Sequence, residues 1–436
     1  MDALSTDYVK IGEILSGSFT GKKVKIRGWV HRSRTSGGVA FIVIRDSTGT
    51  IQCAVKKDAV GEKAFKQASQ AYIESTILIE GTAKQDKRAP GGYELAASKV
   101  ELVAKGEPFP IAKDQSTEFL LDTRHLWLRS QKLTAIMKGR HHIMKYLREF
   151  FEREGFFEMV PPIITQAGCE GGSSLFEFDY FGQKAYLTQS SQLYAEVFTT
   201  ALEKVYVLAP SFRAEKSRTV RHLCEYWHLE PEMAFYNQEM NIALQEKMIE
   251  YVCQKMAANH PEILKATGRK PEELAKIKAP FKRITYEQAV KTAIKKGANM
   301  KMGQDFGADE ETVLTKDEKK PIVITSFPVG LKAFYMREDP KKPGTVLAND
   351  MLAPEGHGEI IGGSERIWEE AELMKRLKEN KLNKKDYQWY IDLRKYGPFP
   401  HSGFGLGIER LVKWMLNLEH IRDTIPFPRT INRVYP

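Results

Sequence analysis

The stretch FRAEKSRTVRHLCEYWHLE, residues 212–230, mixes guanidinium, carboxylate and imidazole groups with large aromatic rings. It has neither the period of 2 of a half-buried strand nor the 3.6 of an amphipathic helix. A solvated charged loop is the bland account of such a composition, and the flanks argue against it. VYVLAPSFRAE (205–215) reads as a strand entering a turn, and EYWHLEPEMAF (225–235) as a strand leaving it. The pair predicts a hairpin with Arg213 on one strand and Glu225 to Glu230 on the other, all facing one platform. Arginine suits a phosphate because its fork is planar, bidentate and always charged. An aromatic ring beside it can stack on a base.

Working outward, the chain has 436 residues, enough for two or three domains. Its formal net charge is +10 and its pI about 9.1, which makes a polyanionic partner a fair expectation. No apolar run of membrane-spanning length occurs, and MDALSTDYVK lacks the basic and apolar segments of a signal peptide. The four cysteines, Cys53, Cys169, Cys224 and Cys253, are scattered without a C-x-x-C pair. That pattern fits a reducing cytoplasm better than a zinc site or a disulfide framework.

Five short β-rich runs follow one another near the N-terminus: KKVKIRGWV (22–30), VAFIVIRD (39–46), TIQCAV (50–55), STILIEGTA (75–83) and YELAASKVELV (93–103). A helical segment, GEKAFKQASQAY (61–72), separates the third from the fourth. This order predicts an OB-fold barrel over residues 1–104, whose second and third strands face oligonucleotides. KGEPFPIAKDQSTEF (105–119) is rich in proline and polar residues and reads as a linker over 105–118.

Residues 119–436 change character. LTAIMKGRHHIMKYLREFFEREG (133–155) predicts a long amphipathic helix stopping at Gly155. FFEMVPPIIT is a strand broken by Pro161 and Pro162, and residues 238–280 are helical with a break at HPEI (260–263). KPIVITSFP, KAFYMRED and EIIGGSERI read as strands, and GIERLVKWMLNL as a closing helix. The fold class expected is α+β with a mostly antiparallel sheet.

No phosphate loop of the G-x-x-x-x-G-K-[ST] type and no H-E-x-x-H pair is present. GFGLG (403–407) lacks the context of a dinucleotide site. Arg410 follows these glycines at a helix start, and Asp350 and Glu359 are carboxylates suited to Mg²⁺. Two arginines, an aromatic and a carboxylate pair describe an ATP site without a P-loop.

VPP (160–162), FRAEKSRTVRHLCEYWHLEPEMAF (212–235) and HSGFGLGIERL (401–411) resemble motifs 1, 2 and 3 of the class II aminoacyl-tRNA synthetases. Together with EIIGGSER (359–366) and the barrel, their order is similar to the aspartyl, asparaginyl and lysyl subgroup across nearly the whole chain. The resemblance implies catalytic roles for Arg213, at the α-phosphate, and for Arg410, which with His222 would bind the terminal phosphates. It implies that Glu215 reads the adenine amino group, that Tyr226 stacks on the ring, and that Arg221 adds to the ATP site. Asp350 and Glu359 would hold Mg²⁺. Glu170, in AGCEGGSS, and Gln192, in QSSQLY, would meet the substrate amino acid. In the barrel, Phe41 would stack on an anticodon base and Gln52 would read it. A symmetric homodimer through motif 1 is also implied.

Local chemistry bears on which amino acid is used. Aspartyl members have a lysine in SPQLYKQ that neutralises the substrate carboxylate; here SSQLYAE puts Ala195 there. Glu230 stands where aspartyl members carry an aspartate, Arg366 and Gly363 lie in the same pocket segment, and Thr430 follows FPR where aspartyl members have an acid. These features favour asparagine, with tRNA(Asn) as the partner and ATP as co-substrate. The alternatives are an aspartyl enzyme, with or without charging of tRNA(Asn) too, and an ammonia-using asparagine synthetase on the same catalytic fold. A third is a binding protein with an inactive synthetase domain.

Overall fold

The computed structural model describes residues 1–166, 168–169, 175–215 and 220–436. Two units divide the chain, Met1–Leu120 and Leu121–Pro436.

Alternation builds the first unit. In β1 (Lys23–Ser36), Val24, Ile26 and Val30 point inward and are buried, while Lys25, Arg27 and Trp29 face out. β2 (Val39–Arg45), β3 (Thr50–Lys56), β4 (Thr76–Gln85) and β5 (Tyr93–Ala104) complete a closed barrel in the order β1-β2-β3-β5-β4. Helices Lys57–Val60 and Glu62–Ser69 lie between β3 and β4 in the chain, as the sequence predicts. Ile42, Ile44, Ile51, Cys53, Ile77, Ile79 and Leu95 fill the interior. Phe41 alternates with buried Ala40 and Ile42, so it is an outer-face residue and not part of that core. Gln52 stands on the same face, because Phe41 pairs with Ala54 and Val43 with Gln52. A bulge between Val30 and Arg32 sets Arg34 opposite Phe41, and its guanidinium lies 4.9 Å over the ring.

The second unit opens with the predicted long helix, Gln131–Arg153, whose N-terminus is capped by the Ser130 hydroxyl accepting from the Leu133 N–H. Gly155 follows it at φ +78°, the left-handed conformation that ends helices. Then come β6 (Phe157–Met159), β7 (Ile164–Thr165), β8 (Glu177–Tyr180), β9 (Gln183–Leu187) and the helix Gln192–Leu202. β10 (Lys204–Phe212) and β11 (Glu225–Ala234) form the predicted hairpin. The helix Gln238–Asn259 stops before Pro261, where a new helix starts. β12 (Lys282–Thr285), β13 (Ile322–Pro328), β14 (Thr345–Ala353), β15 (Gly358–Glu365), β16 (His401–Gly407) and the helix Ile408–Met415 follow.

The large sheet has the order β12-β13-β14-β15-β16-β11-β10-β6 and is antiparallel except at its two ends, β12–β13 and β10–β6. The helices Gln131–Arg153, Gln238–Asn259 and Ile408–Met415 cover one face through Ile143, Leu147, Met248, Val252, Leu411 and Trp414. Leu208, Leu229, Ile361 and Leu406 meet them from the strands. The opposite face of the central strands is the floor of a cavity.

Two expectations need correction. KAFYMRED is not a strand: it follows a 3-10 turn at Val329–Leu331 and makes only isolated bridges, Met336 with Arg366 and Glu338 with Val346. The strand in this region is β14, whose Asn349 and Asp350 disguise it because both residues are poor strand formers. The hairpin also does not aim Glu225 to Glu230 at one platform. Pleating sends Tyr226, His228 and Glu230 to the cavity, while Trp227 and Leu229 join the helical layer.

Candidate active site

A cavity of about 560 Å³ lies over β11, β13, β14, β15 and β16. Arg213, Glu215, Arg221, His222, Tyr226, Asp350, Glu359 and Arg410 all line it. The Arg213 guanidinium sits 5.5 Å from the centre of the Tyr226 ring, and that ring meets His228 edge-on at 4.8 Å. Burial, with Arg213 and Arg410 nearby, pushes His228 down to about 3, so it is neutral and can accept from the Ser211 hydroxyl at 3.2 Å. Burial and then Arg410 also lower His222.

Carboxylates answer these cations. Arg410 donates to the Glu359 carboxylate at 2.9 Å. Arg221 pairs with Glu311 at 2.5 Å. Lys332 donates to Asp350 at 2.6 Å, with its ammonium 3.8 Å from the Phe327 ring centre. Burial would raise Glu359, but Arg410 and Lys332 outweigh it and hold the group at about 2. Asp350 is raised to about 7, by burial first and then by Glu359, against the pull of Lys332. The two carboxylates belong to neighbouring strands and converge over Gly362. A Cβ on that glycine would stand 3.4 Å from Glu359 Oε1 and 3.7 Å from Asp350 Oδ1.

Deeper in the wall lies a second group of charges. Glu230 accepts from the Ser190 hydroxyl and, at 2.8 Å, from the Ser191 N–H. Arg366 donates to Glu232 through Nη2 at 2.5 Å and Nε at 3.2 Å, and to the Ser364 hydroxyl at 2.7 Å. Gly403 is a requirement of this pair, since a Cβ there would lie 2.2 Å from the Glu232 carboxylate. Gln192 lines the cavity and donates to Glu196 at 3.1 Å. Glu196 in turn accepts from Arg394 at 2.7 Å and from Tyr390 at 2.8 Å, with His401 Nε2 at 2.9 Å.

Residues 116–431 match the model of the class II tRNA synthetases (D, K and N), and residues 24–103 match an OB-fold nucleic acid binding domain. The asparagine–tRNA ligase of Thermoplasma acidophilum is 48% identical over 428 residues, covering 98% of this chain and 100% of the relative. That of Thermococcus kodakarensis is 48% identical over 417 residues, covering 95% and 96%. The crystal structure of asparaginyl-tRNA synthetase from Pyrococcus horikoshii complexed with asparaginyl-adenylate superimposes with a TM-score of 0.96 at 44% identity, covering 99% of this chain and 100% of that one. The chain belongs to the asparaginyl-tRNA synthetases. A putative aspartyl-tRNA synthetase from Leishmania major shares the fold, with a TM-score of 0.87, at only 25% identity.

Within this synthetase some expected site residues stand elsewhere. Ala195 does not line the cavity; it is fully buried against Val205 and Val207, because the helix Gln192–Leu202 packs its inner face on β10. Gly363 faces the other side of the sheet, where a Cβ would meet Gln245 at 2.7 Å, and Gly362 lines the cavity instead. Glu170 lies outside the described residues.

Other cavity residues were not anticipated. His228 shares the period of 2 with Tyr226 and Glu230, so the alternation of β11 could have revealed it, and the same period sets Glu232 behind Arg366. Lys332 left one signal, a lone charge in the apolar run VGLKAFYM. Glu311 left none.

The donor set at Gly362 suits Mg²⁺: two hard carboxylate oxygens aimed into a cavity with room for substrate oxygens. Among the described residues no group of three or more His, Cys, Asp or Glu side chains gathers to hold a metal, so these two would share it with phosphates and water. Among the described residues, no helix is long and apolar enough to cross a membrane.

Proposed function

We infer that the protein activates L-asparagine with ATP and transfers it to the 3′ end of tRNA(Asn). An α-carboxylate oxygen of asparagine attacks the α-phosphorus in line. The bond to the β-phosphate oxygen breaks, and pyrophosphate leaves from asparaginyl-adenylate. The terminal ribose hydroxyl of the tRNA then attacks the adenylate carbonyl, losing its proton as AMP departs with the electrons of the broken bond. No enzyme nucleophile is required, so the residues act by position and charge.

In this reading Arg213 grips the α-phosphate, where negative charge grows at the transition state. Tyr226 carries the adenine ring, Glu215 accepts from its amino group, and Arg221, His222 and Arg410 hold the outer phosphates. Asp350 and Glu359 would hold Mg²⁺, which would neutralise the departing pyrophosphate. Glu230 accepts from the substrate amide NH₂ and Arg366 donates to its oxygen, with Gln192 and Glu170 at the α-amino end.

The observation that carries the choice of asparagine is the pairing of Arg366 with Glu232 beside Glu230. The guanidinium's charge is already matched, so the pocket favours a neutral amide over a carboxylate. Sites built around a substrate hydrogen bond reject an analogue lacking it by about 10⁴–10⁵.

The barrel serves as the anticodon-binding domain, taking up residues 1–104, with 105–118 as linker and 119–436 as the catalytic domain. Phe41 and Gln52 supply its stacking and reading groups. Dimerisation through β6 is supported by its place at the sheet edge and by Phe157 and Val160, which are 54% and 88% exposed. The cytoplasm is the site of action, in keeping with free cysteines at 53, 169, 224 and 253. Amino-acid-dependent ATP–pyrophosphate exchange tests the reading: strong exchange with asparagine and little with aspartate is expected, and the reverse would overturn the substrate.

A further inference from the structure

Arg213 stands one residue past the end of β10, so strand pairing does not hold it. Its N–H donates instead to the Cys224 carbonyl at 2.9 Å, and the Cys224 N–H donates to the Arg429 carbonyl at 2.8 Å. Glu225, the first residue of β11, bridges Arg429 antiparallel. The C-terminal segment is thus tied by an isolated bridge against the mouth of the hairpin. Beyond it, Thr430 and Ile431 line the cavity, together with Cys224 and Tyr226.

Arginines tie this segment down. Arg429 donates to the Pro436 carbonyl at 2.8 Å. Arg433 donates to Asp122 at 2.6 Å and to the Tyr435 carbonyl at 3.1 Å, while the main chains of Thr430 and Arg433 exchange hydrogen bonds at 3.0 and 3.2 Å. Upstream, the fully buried Arg124 donates to the carbonyls of Pro426 at 2.9 Å and Ile425 at 3.2 Å. Side-chain donors anchored on main-chain carbonyls set the path of a backbone, which is what a segment without regular structure needs if it is to form a fixed wall.

We propose that residues 427–436 belong to the nucleotide site. Thr430 and Ile431 close its base end, and Arg433 is a positioning residue that holds Arg213 through the Arg429 main chain and Cys224. This rests on the reading of the cavity as the ATP site. A segment so placed touches the nucleotide and the arginine at its α-phosphate but not the amino-acid end, where Glu230 and Arg366 lie. Its loss should therefore separate the two substrates.

The test is pyrophosphate exchange with Arg433→Ala, Arg433→Lys, Ile431→Ala and Arg213→Ala, alongside equilibrium ATP binding. Arg433→Ala is expected to raise the KM and the dissociation constant for ATP about ten-fold while KM for asparagine stays within about two-fold, with partial rescue in Arg433→Lys. Ile431→Ala, at a side chain already 37% exposed, tests the wall without cutting the anchor and should weaken ATP about three-fold. Equal changes for both substrates, or unchanged ATP binding in Arg433→Ala and Ile431→Ala while Arg213→Ala is inactive, would overturn the proposal and leave the ATP site standing. Normal exchange by Arg213→Ala would remove the ATP site itself.

Discussion

Arg366 holds the Glu232 carboxylate from two of its nitrogens, Nη2 at 2.5 Å and Nε at 3.2 Å, with both side chains almost wholly out of water. The pair keeps a guanidinium in the pocket wall without leaving its charge open to an anionic substrate. Glu232→Gln retains the shape and one acceptor but removes the charge. Exchange with aspartate should rise about ten-fold relative to asparagine, roughly 1.4 kcal/mol. Burial raises Glu232 to about 7, against the pull of Arg366, so protonation below that pH imitates the variant. The aspartate-to-asparagine ratio of wild-type exchange should therefore grow as pH falls from about 8 to about 6 and stay flat in Glu232→Gln. Parallel profiles would remove Glu232 from discrimination.

Lys332 and Asp350 make a comparable pair at the other end of the cavity. Removing one partner of a buried pair leaves an uncompensated charge, at a cost of about 3–5 kcal/mol. Lys332→Met should lower the melting temperature, and added Mg²⁺ should restore more of it in the variant than in the wild type, because the freed carboxylate gains a cation. Thermal melts with and without MgCl₂ measure this. An equal Mg²⁺ increment in both proteins would mean that Asp350 is not a cation ligand.

Much of this site can be read along single elements. Arg213, Tyr226 and Glu230 follow from a hairpin whose strands alternate, and Arg410 from a helix that starts behind glycines. What escapes is set between elements. Asp350 meets Glu359 because β14 pairs Asp350 with Gly362 of β15, a register that no local pattern states. One residue of offset decides that Gly362 and not Gly363 faces the cavity. Ala195 ends in the packing between the helix Gln192–Leu202 and β10, a placement that the segment SSQLYAE does not state. The strand Thr345–Ala353 went unread because Asn349 and Asp350 sit badly in a β pattern, and strands on both sides override that preference.

Acid should loosen the second unit through His357, which lies apart from the cavity walls. Burial, then Lys413 and Arg269, push this imidazole down to about 3, and its Nδ1 accepts from Lys413 at 3.4 Å. A histidine held neutral in the fold is protonated below about 6.5 once unfolded. Its contribution to stability is therefore complete above that pH and is lost as pH falls towards 3. By pH 5 the loss is about 1–2 kcal/mol at 1.36 kcal/mol per unit. His357→Asn keeps an acceptor for Lys413 and does not titrate. Urea unfolding at pH 7 and pH 5 should show a smaller fall in stability for the variant, and identical falls would clear His357 of the effect.

Phe41 offers a separation between the two units. It stands on the outer face of the barrel with Arg34 over one side of its ring, diagonally placed from Gln52, whose amide donates to Glu94 at 2.7 Å. A ring in that setting presents its free side to a base, and base–aromatic stacking is worth about 1–3 kcal/mol. Phe41→Ala should weaken tRNA binding by about 5- to 150-fold and lower aminoacylation at limiting tRNA accordingly. Asparagine-dependent pyrophosphate exchange needs no tRNA and draws on residues of the other unit, so it should be unchanged. The barrel core should also survive, because Ala40 and Ile42, not Phe41, carry the buried side of β2. Filter binding of tRNA together with exchange on the same preparation measures both. Equal tRNA affinity for wild type and Phe41→Ala would move the anticodon contact to another part of the barrel.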